Sequence, residues 1–230
     1  MAKRDLNADW KKYYDEHLVT LEEAAKHIEP GDTIFLGQAT SVPYALLDYL
    51  YEHKEDYHDV AFWYNVFNYP TNMYFDHDTK KHFRFLNIFN LPLDRMGMDN
   101  HVVEPLGSGY DQYEISMWEN GVNGFALQVC PPDENGWCNA GDYCICTNST
   151  TTGSPRMKKC FGFIDETGVF PAPGPIEDNC IHVTQFDYII KNNTDMFALP
   201  TPEPTEMDIR IASFILPYIH TGDKVQIGYG

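Results

Sequence analysis

The stretch TIFLGQATSVPYALLDYLYEH, residues 33 to 53, sets the fold class. Thr33 to Gly37 is a short apolar run that reads as a buried strand. Gln38 to Ser41 follow the glycine with mostly polar side chains, which marks a loop. From Val42 to His53 the pattern is helical, with Pro43 in the first turn and Leu46, Leu47 and Leu50 on one side. Strand, glycine loop and helix in that order open an α/β protein.

On the N-terminal side, NADWKKYYDEHLVTLEEAAKHIEPGD reads as two short helices. One runs from Asn7 to about His17; the other has Thr20 as N-cap and Glu23 completing a capping box. Pro30, Gly31 and Asp32 stop it. On the C-terminal side, strand-like runs follow at 60–67, 82–89 and 124–130, with a helix around 109–121. Near-continuous apolar strands alternating with helices predict a mainly parallel sheet covered on both faces. The Pro-rich segment 199–208 reads as a linker, and DIRIASFILPYI after it resumes a helical pattern despite Pro217, which should kink its last turn.

The chain has 230 residues, long enough at about 150 residues per domain for one large domain or one domain plus an extension. Hydrophobic residues make up 43% and aromatic residues 14%, so a core is affordable and disorder is excluded as the general state. Sixteen Lys and Arg against 34 Asp and Glu give a net charge of −18. That balance argues against a nucleic acid or an anionic membrane surface as partner. The start, MAKRDLNADW, has no apolar core for a signal peptide, and no 18 apolar residues run together. A cytoplasmic location with reduced thiols is therefore expected. Cys138, Cys144, Cys146 and His182 do not have the paired spacing of a zinc site, so no metal is predicted. Buried small hydrophobes are the better reading for the cysteines, and a hydrogen-bonded structural role for His182. The Asn-x-Ser/Thr matches at Asn148 and Asn192 carry no meaning in a cytoplasmic chain.

A short internal match appears when the sequence is slid by 191 positions. Ile28 then meets Ile219, Gly31 meets Gly222, Asp32 meets Asp223 and Gly37 meets Gly228, while Ile34 and Leu36 meet Val225 and Ile227. The simplest reading is a tandem duplication whose second copy stops just after its first strand.

Three segments together resemble the acetyl-CoA hydrolase/transferase family, which includes 4-hydroxybutyrate and butyryl-CoA:acetate CoA-transferases. They are EPGDTIFLGQATSVP at 29–43, CPPDENGWCNAGDY at 130–143 and CIHVTQFDYIIKN at 180–192. The second of these is a rigid loop on its own chemistry, with Asp133 placed to cap its turn and Gly136 and Gly141 free to take positive φ. The resemblance runs in order from Asp9-Trp10 to Gly222-Asp223. Residues 149–174 depart from the helical, Ala-rich text usual there.

The resemblance implies a CoA-transferase-like α/β fold, shared with sugar-phosphate isomerases. It also implies that the chain is the N-terminal half of a protein about twice as long. Residues 1–207 are then the first domain, with its N-terminal helices, and 208–230 a linker helix and the start of the second. The implied activity moves CoA between a short-chain acyl-CoA and a carboxylate of the acetate, butyrate or 4-hydroxybutyrate type, through a glutamyl-CoA thioester. The nucleophilic glutamate belongs to the missing half, so no catalytic residue is named in this chain. Acyl-CoA hydrolysis is the alternative within enzymes, and a non-catalytic CoA- or metabolite-binding half acting with a partner is the alternative outside them.

No cofactor is implied beyond coenzyme A as substrate. The implied partners are the acyl-CoA, the short-chain carboxylate and the missing half. A bare interdomain face would favour a homo-oligomer, and residues 222–230 would fray without their sheet. For Gly37, Gln38, Ala39, Thr40, Ser41 and Pro43 the readings are a plain connection or, as the family implies, a substrate-facing loop at the carboxyl end of a strand. Arg95 is either a guanidinium clamp for a carboxylate or CoA phosphate, or a surface arginine paired with Asp94 or Asp99.

Overall fold

The structure, a computed structural model, describes residues 5–67, 69–141, 153–167, 171–194 and 202–226. It divides into two units, Met1–Phe197 and Ala198–Gly230.

The first unit is built on seven parallel strands in the order β4-β3-β2-β1-β5-β7-β9. These are β1 (Thr33–Phe35), β2 (Val60–Tyr64), β3 (Phe83–Asn87), β4 (Val103–Pro105), β5 (Gly124–Val129), β7 (Lys159–Asp165) and β9 (Tyr188–Asn192). Two short strands, β6 (Trp137–Asn139) and β8 (Cys180–His182), pair antiparallel in a separate ribbon. The central strands are buried on both faces, which is why they read as unbroken apolar runs rather than alternating ones.

One face is covered by α2 (Leu21–Ala25) and α3 (Tyr44–Glu52), whose Ala24, Ala25, Leu46, Leu47 and Leu50 meet Ile34, Phe62 and Phe85. The other face packs Phe35, Trp63 and Phe125 against α5 (Tyr113–Glu119) through Tyr113 and Met117, and against the β6–β8 ribbon through Cys138 and Ile181. α1 (Trp10–His17) lays Trp10 and Tyr14 on the same side. It starts three residues later than the sequence pattern predicts, because the Asp9 side chain accepts from the Lys12 N–H and so fixes the N-cap. α4 (Pro92–Asp99) connects β3 to β4.

Strands β2, β3 and β4 step away from β1 on one side, whereas β5, β7 and β9 extend on the other. The direction of winding reverses between β1 and β5, and in open α/β sheets ligands bind at the carboxyl edge of such a reversal. β1 and its loop stand at that point.

The second unit contains α6 (Glu206–Ile215), capped by a reciprocal box between Thr205 and Asp208, then a single 3-10 turn at Leu216–Tyr218. The sequence predicts a helix kinked in its last turn by Pro217; the α-helix instead stops at Ile215 and Pro217 lies in the 3-10 turn, because its ring and missing N–H do not allow the α-helical bonding to continue. Lys224–Gln226 form no strand and Val225 is exposed, while 227–230 lie outside the described residues. No helix among the described residues is long and apolar enough to cross a membrane.

Candidate functional site

Leaving β1, the chain makes a sharp departure at Gly37, whose φ is +74°. A Cβ there would stand 2.7 Å from Leu127 Cδ2 and 3.1 Å from Ser41 Cβ, so only glycine fits both the conformation and the space. Leu36 N–H donates to Trp63 O at 3.1 Å, but the next bond of this series is Ala39 N–H to Val66 O at 2.7 Å. A regular parallel ladder advances by two residues; here it advances by three, and the chain lifts away from the sheet. Ala39 takes a φ of +46°, which is uncommon for a side chain with a Cβ.

Four contacts hold the lifted loop. Tyr44 donates its hydroxyl to Ala39 O at 2.8 Å, Ser41 Oγ donates to Ala140 O at 2.8 Å, and Ser41 N–H donates to Gln38 O at 2.9 Å. Tyr110 donates to Gln38 Oε1 at 3.3 Å. Gln38 and Ser41 are buried, and Pro43 caps α3 rather than entering its first turn. Gly37, Gln38, Ala39, Thr40, Ser41 and Pro43 thus form one tightly held loop at the winding reversal, crossed by the Ser41–Ala140 bond between the β1 side and the segment after β6.

Arg95 lies apart from this loop. It is exposed on α4, and neither predicted pairing exists among the described residues. Its neighbour Asp94 is fully buried and turned inward, accepting from Tyr64 at 2.8 Å, Tyr74 at 3.1 Å and the Leu91 N–H at 2.7 Å. Burial raises the Asp94 pKa, against the pull of those three donors, and raises both tyrosines well above their ordinary value.

The loop that follows β5 behaves as its residues predict. Asp133 Oδ1 accepts from Asn135 N–H at 2.8 Å and Trp137 N–H at 2.9 Å, and Gly136 takes φ +88°. His182 is buried, its Nδ1 2.8 Å from Thr184 Oγ1 and its Nε2 3.1 Å from Asn135 O. Both ring nitrogens are occupied by structure. Cys138 is buried and its thiol is pushed well up by that burial, so it stays neutral. Cys144, Cys146 and Asn148 lie outside the described residues, among which no His, Cys, Asp and Glu side chains gather as a metal site.

One feature of the same edge escapes a reading of the sequence. Buried side-chain atoms without a hydrogen-bond partner occur at Thr40 Oγ1, Trp63 Nε1, Asn65 Nδ2 and Oδ1, Asn90 Oδ1 and Thr79 Oγ1. All but Thr79 lie in the last turns of, or just beyond, β1, β2 and β3. No residue pattern announces this, since it depends on what fails to approach in three dimensions. A surface cavity of about 520 Å³ lined by Lys26, Tyr49, His53 and Tyr57 lies at the opposite, amino-terminal edge, and Lys26 there is paired with Glu22. It is remote from the loop.

No family model matches the chain. It is 23% identical over 226 residues to a 4-hydroxybutyrate coenzyme A transferase of Clostridium kluyveri, covering 96% of this chain and 50% of that protein. It is 24% identical over 242 residues to a probable butyrate:acetyl-CoA coenzyme A-transferase of Syntrophomonas wolfei, covering 94% and 48%. The chain spans about half the length of the curated relatives it matches. Among solved structures, RipA from Yersinia pestis superposes with a TM-score of 0.80 at 21% identity, over 97% of this chain and 53% of that one. A 4-hydroxybutyrate CoA-transferase from Porphyromonas gingivalis gives 0.55 at 16% identity, over 83% and 43%. The parallel sheet flanked by helices is thus of the CoA-transferase type, and in sequence the chain is similar to these two CoA-transferases over about half of their length.

Proposed function

We propose that this chain is the substrate-facing α/β half of a CoA-transferase that exchanges CoA between a short-chain acyl-CoA and a carboxylate. The observation that carries the reading is the Gly37–Pro43 loop, locked at the winding reversal of a sheet whose sequence relatives are CoA-transferases. Its backbone is held by Val66 O and the Tyr44 hydroxyl, and its Ser41 side chain by Ala140 O, before any substrate arrives. A surface so fixed stabilises developing charge without reorganising, which is the requirement for resolving the tetrahedral species of acyl transfer. The nucleophilic glutamate is supplied from outside this chain, in the part of the relatives that it does not match. That glutamate attacks the thioester carbonyl and releases CoA thiolate; the thiolate then attacks the acyl-glutamyl anhydride, releasing the first carboxylate and leaving a glutamyl-CoA thioester. An acceptor carboxylate then attacks the glutamyl thioester carbonyl and expels CoA thiolate, forming a new acyl-glutamyl anhydride; the thiolate attacks the acyl carbonyl of that anhydride, giving the new acyl-CoA and releasing the free glutamate.

The test is a CoA-exchange assay on the chain expressed together with a relative's unmatched half, using butyryl-CoA with isotopically labelled acetate. Labelled acetyl-CoA is the expected product, and the chain alone should form none. Hydrolysis without labelled acetyl-CoA would assign the water-accepting reaction instead, and neither product would remove the enzymatic reading.

A further inference from the structure

Five of the six buried, unpartnered side-chain atoms gather at one edge of three adjacent strands. A buried polar atom without a partner costs about 1–3 kcal/mol, so native chains hold few of them and rarely together. Asn65 is the extreme case. It is fully buried directly after β2, and both its carboxamide nitrogen and its carboxamide oxygen lack partners. Thr40 is its neighbour across the loop, because the Ala39–Val66 bond joins the residue before Thr40 to the residue after Asn65. Trp63 is likewise fully buried with its indole N–H unused. Its ring stands edge-on to Tyr113 at 5.0 Å, and Tyr113 lies 6.4 Å from the ring of Tyr110. Tyr110 is 48% exposed, so the aromatic cluster over Trp63 reaches solvent there. There the Tyr110 hydroxyl also reaches the loop after β1, donating to Gln38 Oε1 at 3.3 Å.

We propose that Asn65, together with Thr40 and Trp63, forms a subsite for a neutral ligand group that both donates and accepts hydrogen bonds, an amide or an alcohol. The unused atoms are two N–H donors, at Asn65 and Trp63, two carbonyl acceptors, at Asn65 and Asn90, and a hydroxyl that serves either way. None is charged. A carboxylate offers acceptors only; it would leave both carbonyl oxygens facing its lone pairs and would be buried without a cation. A secondary amide or a hydroxyl satisfies both kinds of atom at once. The proposal deepens the CoA-transfer reading in one respect, the source of the group: either the amides of the pantetheine arm of CoA or a hydroxyl on the acyl chain.

The experiment follows the side-chain amide resonances of Asn65 in the isotopically labelled chain during titration with four probes. Pantetheine carries amides, 4-hydroxybutyrate carries a hydroxyl, and butyrate and acetate carry a carboxylate alone. The Asn65 signals are expected to move with pantetheine or with 4-hydroxybutyrate, whichever is the source, and to stay in place with butyrate and acetate. Asn65→Leu, close in shape but apolar, should weaken binding of the active probe about tenfold while raising the thermal midpoint of the ligand-free chain, since an unpaired amide leaves the core. A lowered ligand-free midpoint would show that the amide is structurally bonded, and an unchanged affinity or an equal response to butyrate would also overturn the subsite. Thr40→Val supplies the same comparison if Asn65→Leu does not fold. Loss of CoA exchange in the assembled protein with the Asn65 response intact would sink the transfer reading and leave the subsite standing. Exchange left unchanged by Asn65→Leu for every acyl substrate would sink the subsite alone.

Discussion

Ser41 Oγ lies 2.8 Å from Ala140 O, a hydrogen bond between residues 99 positions apart that joins the loop after β1 to the segment after β6. Both groups are buried, so removing the hydroxyl leaves a carbonyl with neither protein nor water in its place. Ser41→Ala is expected to destabilise the chain by about 1–3 kcal/mol. A lower urea midpoint with an unchanged m-value is the result that checks it, and a midpoint equal to that of the parent chain would show that the bond contributes nothing.

Gly37 faces two penalties on substitution, and they can be separated. Gly37→Ala should cost about 1–3 kcal/mol from the positive φ alone, with an added clash against Leu127. In the Leu127→Ala background the clash disappears and the backbone strain stays. The cost of Gly37→Ala should therefore shrink in that background without vanishing, as read by a double-mutant cycle in denaturant.

Asp94 predicts a pH dependence of a definite sign. Its native pKa is raised above the ordinary value of 3.8, chiefly by burial, so the folded chain holds this proton more tightly than the unfolded one. In the window from 3.8 up to the native value, the Asp94 contribution to stability falls as pH rises, and above that window it is constant. Asp94→Asn should remove this slope. It should also lower stability at neutral pH by about 1–3 kcal/mol, since an amide has one acceptor oxygen where the Leu91 N–H and the two tyrosine hydroxyls now use both carboxylate oxygens. Unfolding free energies of the two proteins across pH 4 to 7 give both quantities, and parallel curves would refute the assignment.

Lys159 lies 2.6 Å from Asp32 and 2.7 Å from Glu29, with 19% of its side chain exposed and 6% of the Asp32 side chain. Burial pulls the Lys159 pKa down, and the hydrogen bonds to the two carboxylates more than offset it, so the ammonium is held above its ordinary 10.5. Its contribution is therefore fully present below 10.5 and lost as pH rises through the higher native value. Asp32 also accepts from the Glu29 N–H and from Asn123 Nδ2, which softens the loss of its cation. Lys159→Met should cost about 2–3 kcal/mol, somewhat below the usual figure for stripping one partner from a buried pair. Adding Asp32→Asn should recover part of it, and full additivity of the two substitutions would show the pair to be uncoupled.

Residues 33–53 determined the opening unit by themselves. Three apolar residues before a glycine and leucines at helical spacing admit little besides strand, loop and helix, and β2, β3 and β5 were legible as apolar runs for the same reason. The N-cap of Thr20 and the Asp133 turn were legible too, because a side chain that bonds its own neighbours needs no tertiary contact. β4 and the β6–β8 ribbon were not. Val103–Pro105 and Trp137–Asn139 are three residues each, too short to carry a period, and become strands only because β3 and β8 offer ladders. β7 has the apolar composition of a strand, but it sits in a stretch that departs from the family text, and its place between β5 and β9 is a matter of topology.

At the candidate site the glycine loop was visible in the sequence, since a glycine after an apolar run signals a change of direction locally. Which polar groups end up buried and unanswered was decided by tertiary structure alone. Asn65 and Asn87 each follow or end an apolar strand, yet Asn87 bonds the backbone of Phe89 through both amide atoms and Asn65 bonds nothing. The difference is which groups the fold brings within about 3 Å, and a sequence specifies donors and acceptors without specifying their distances.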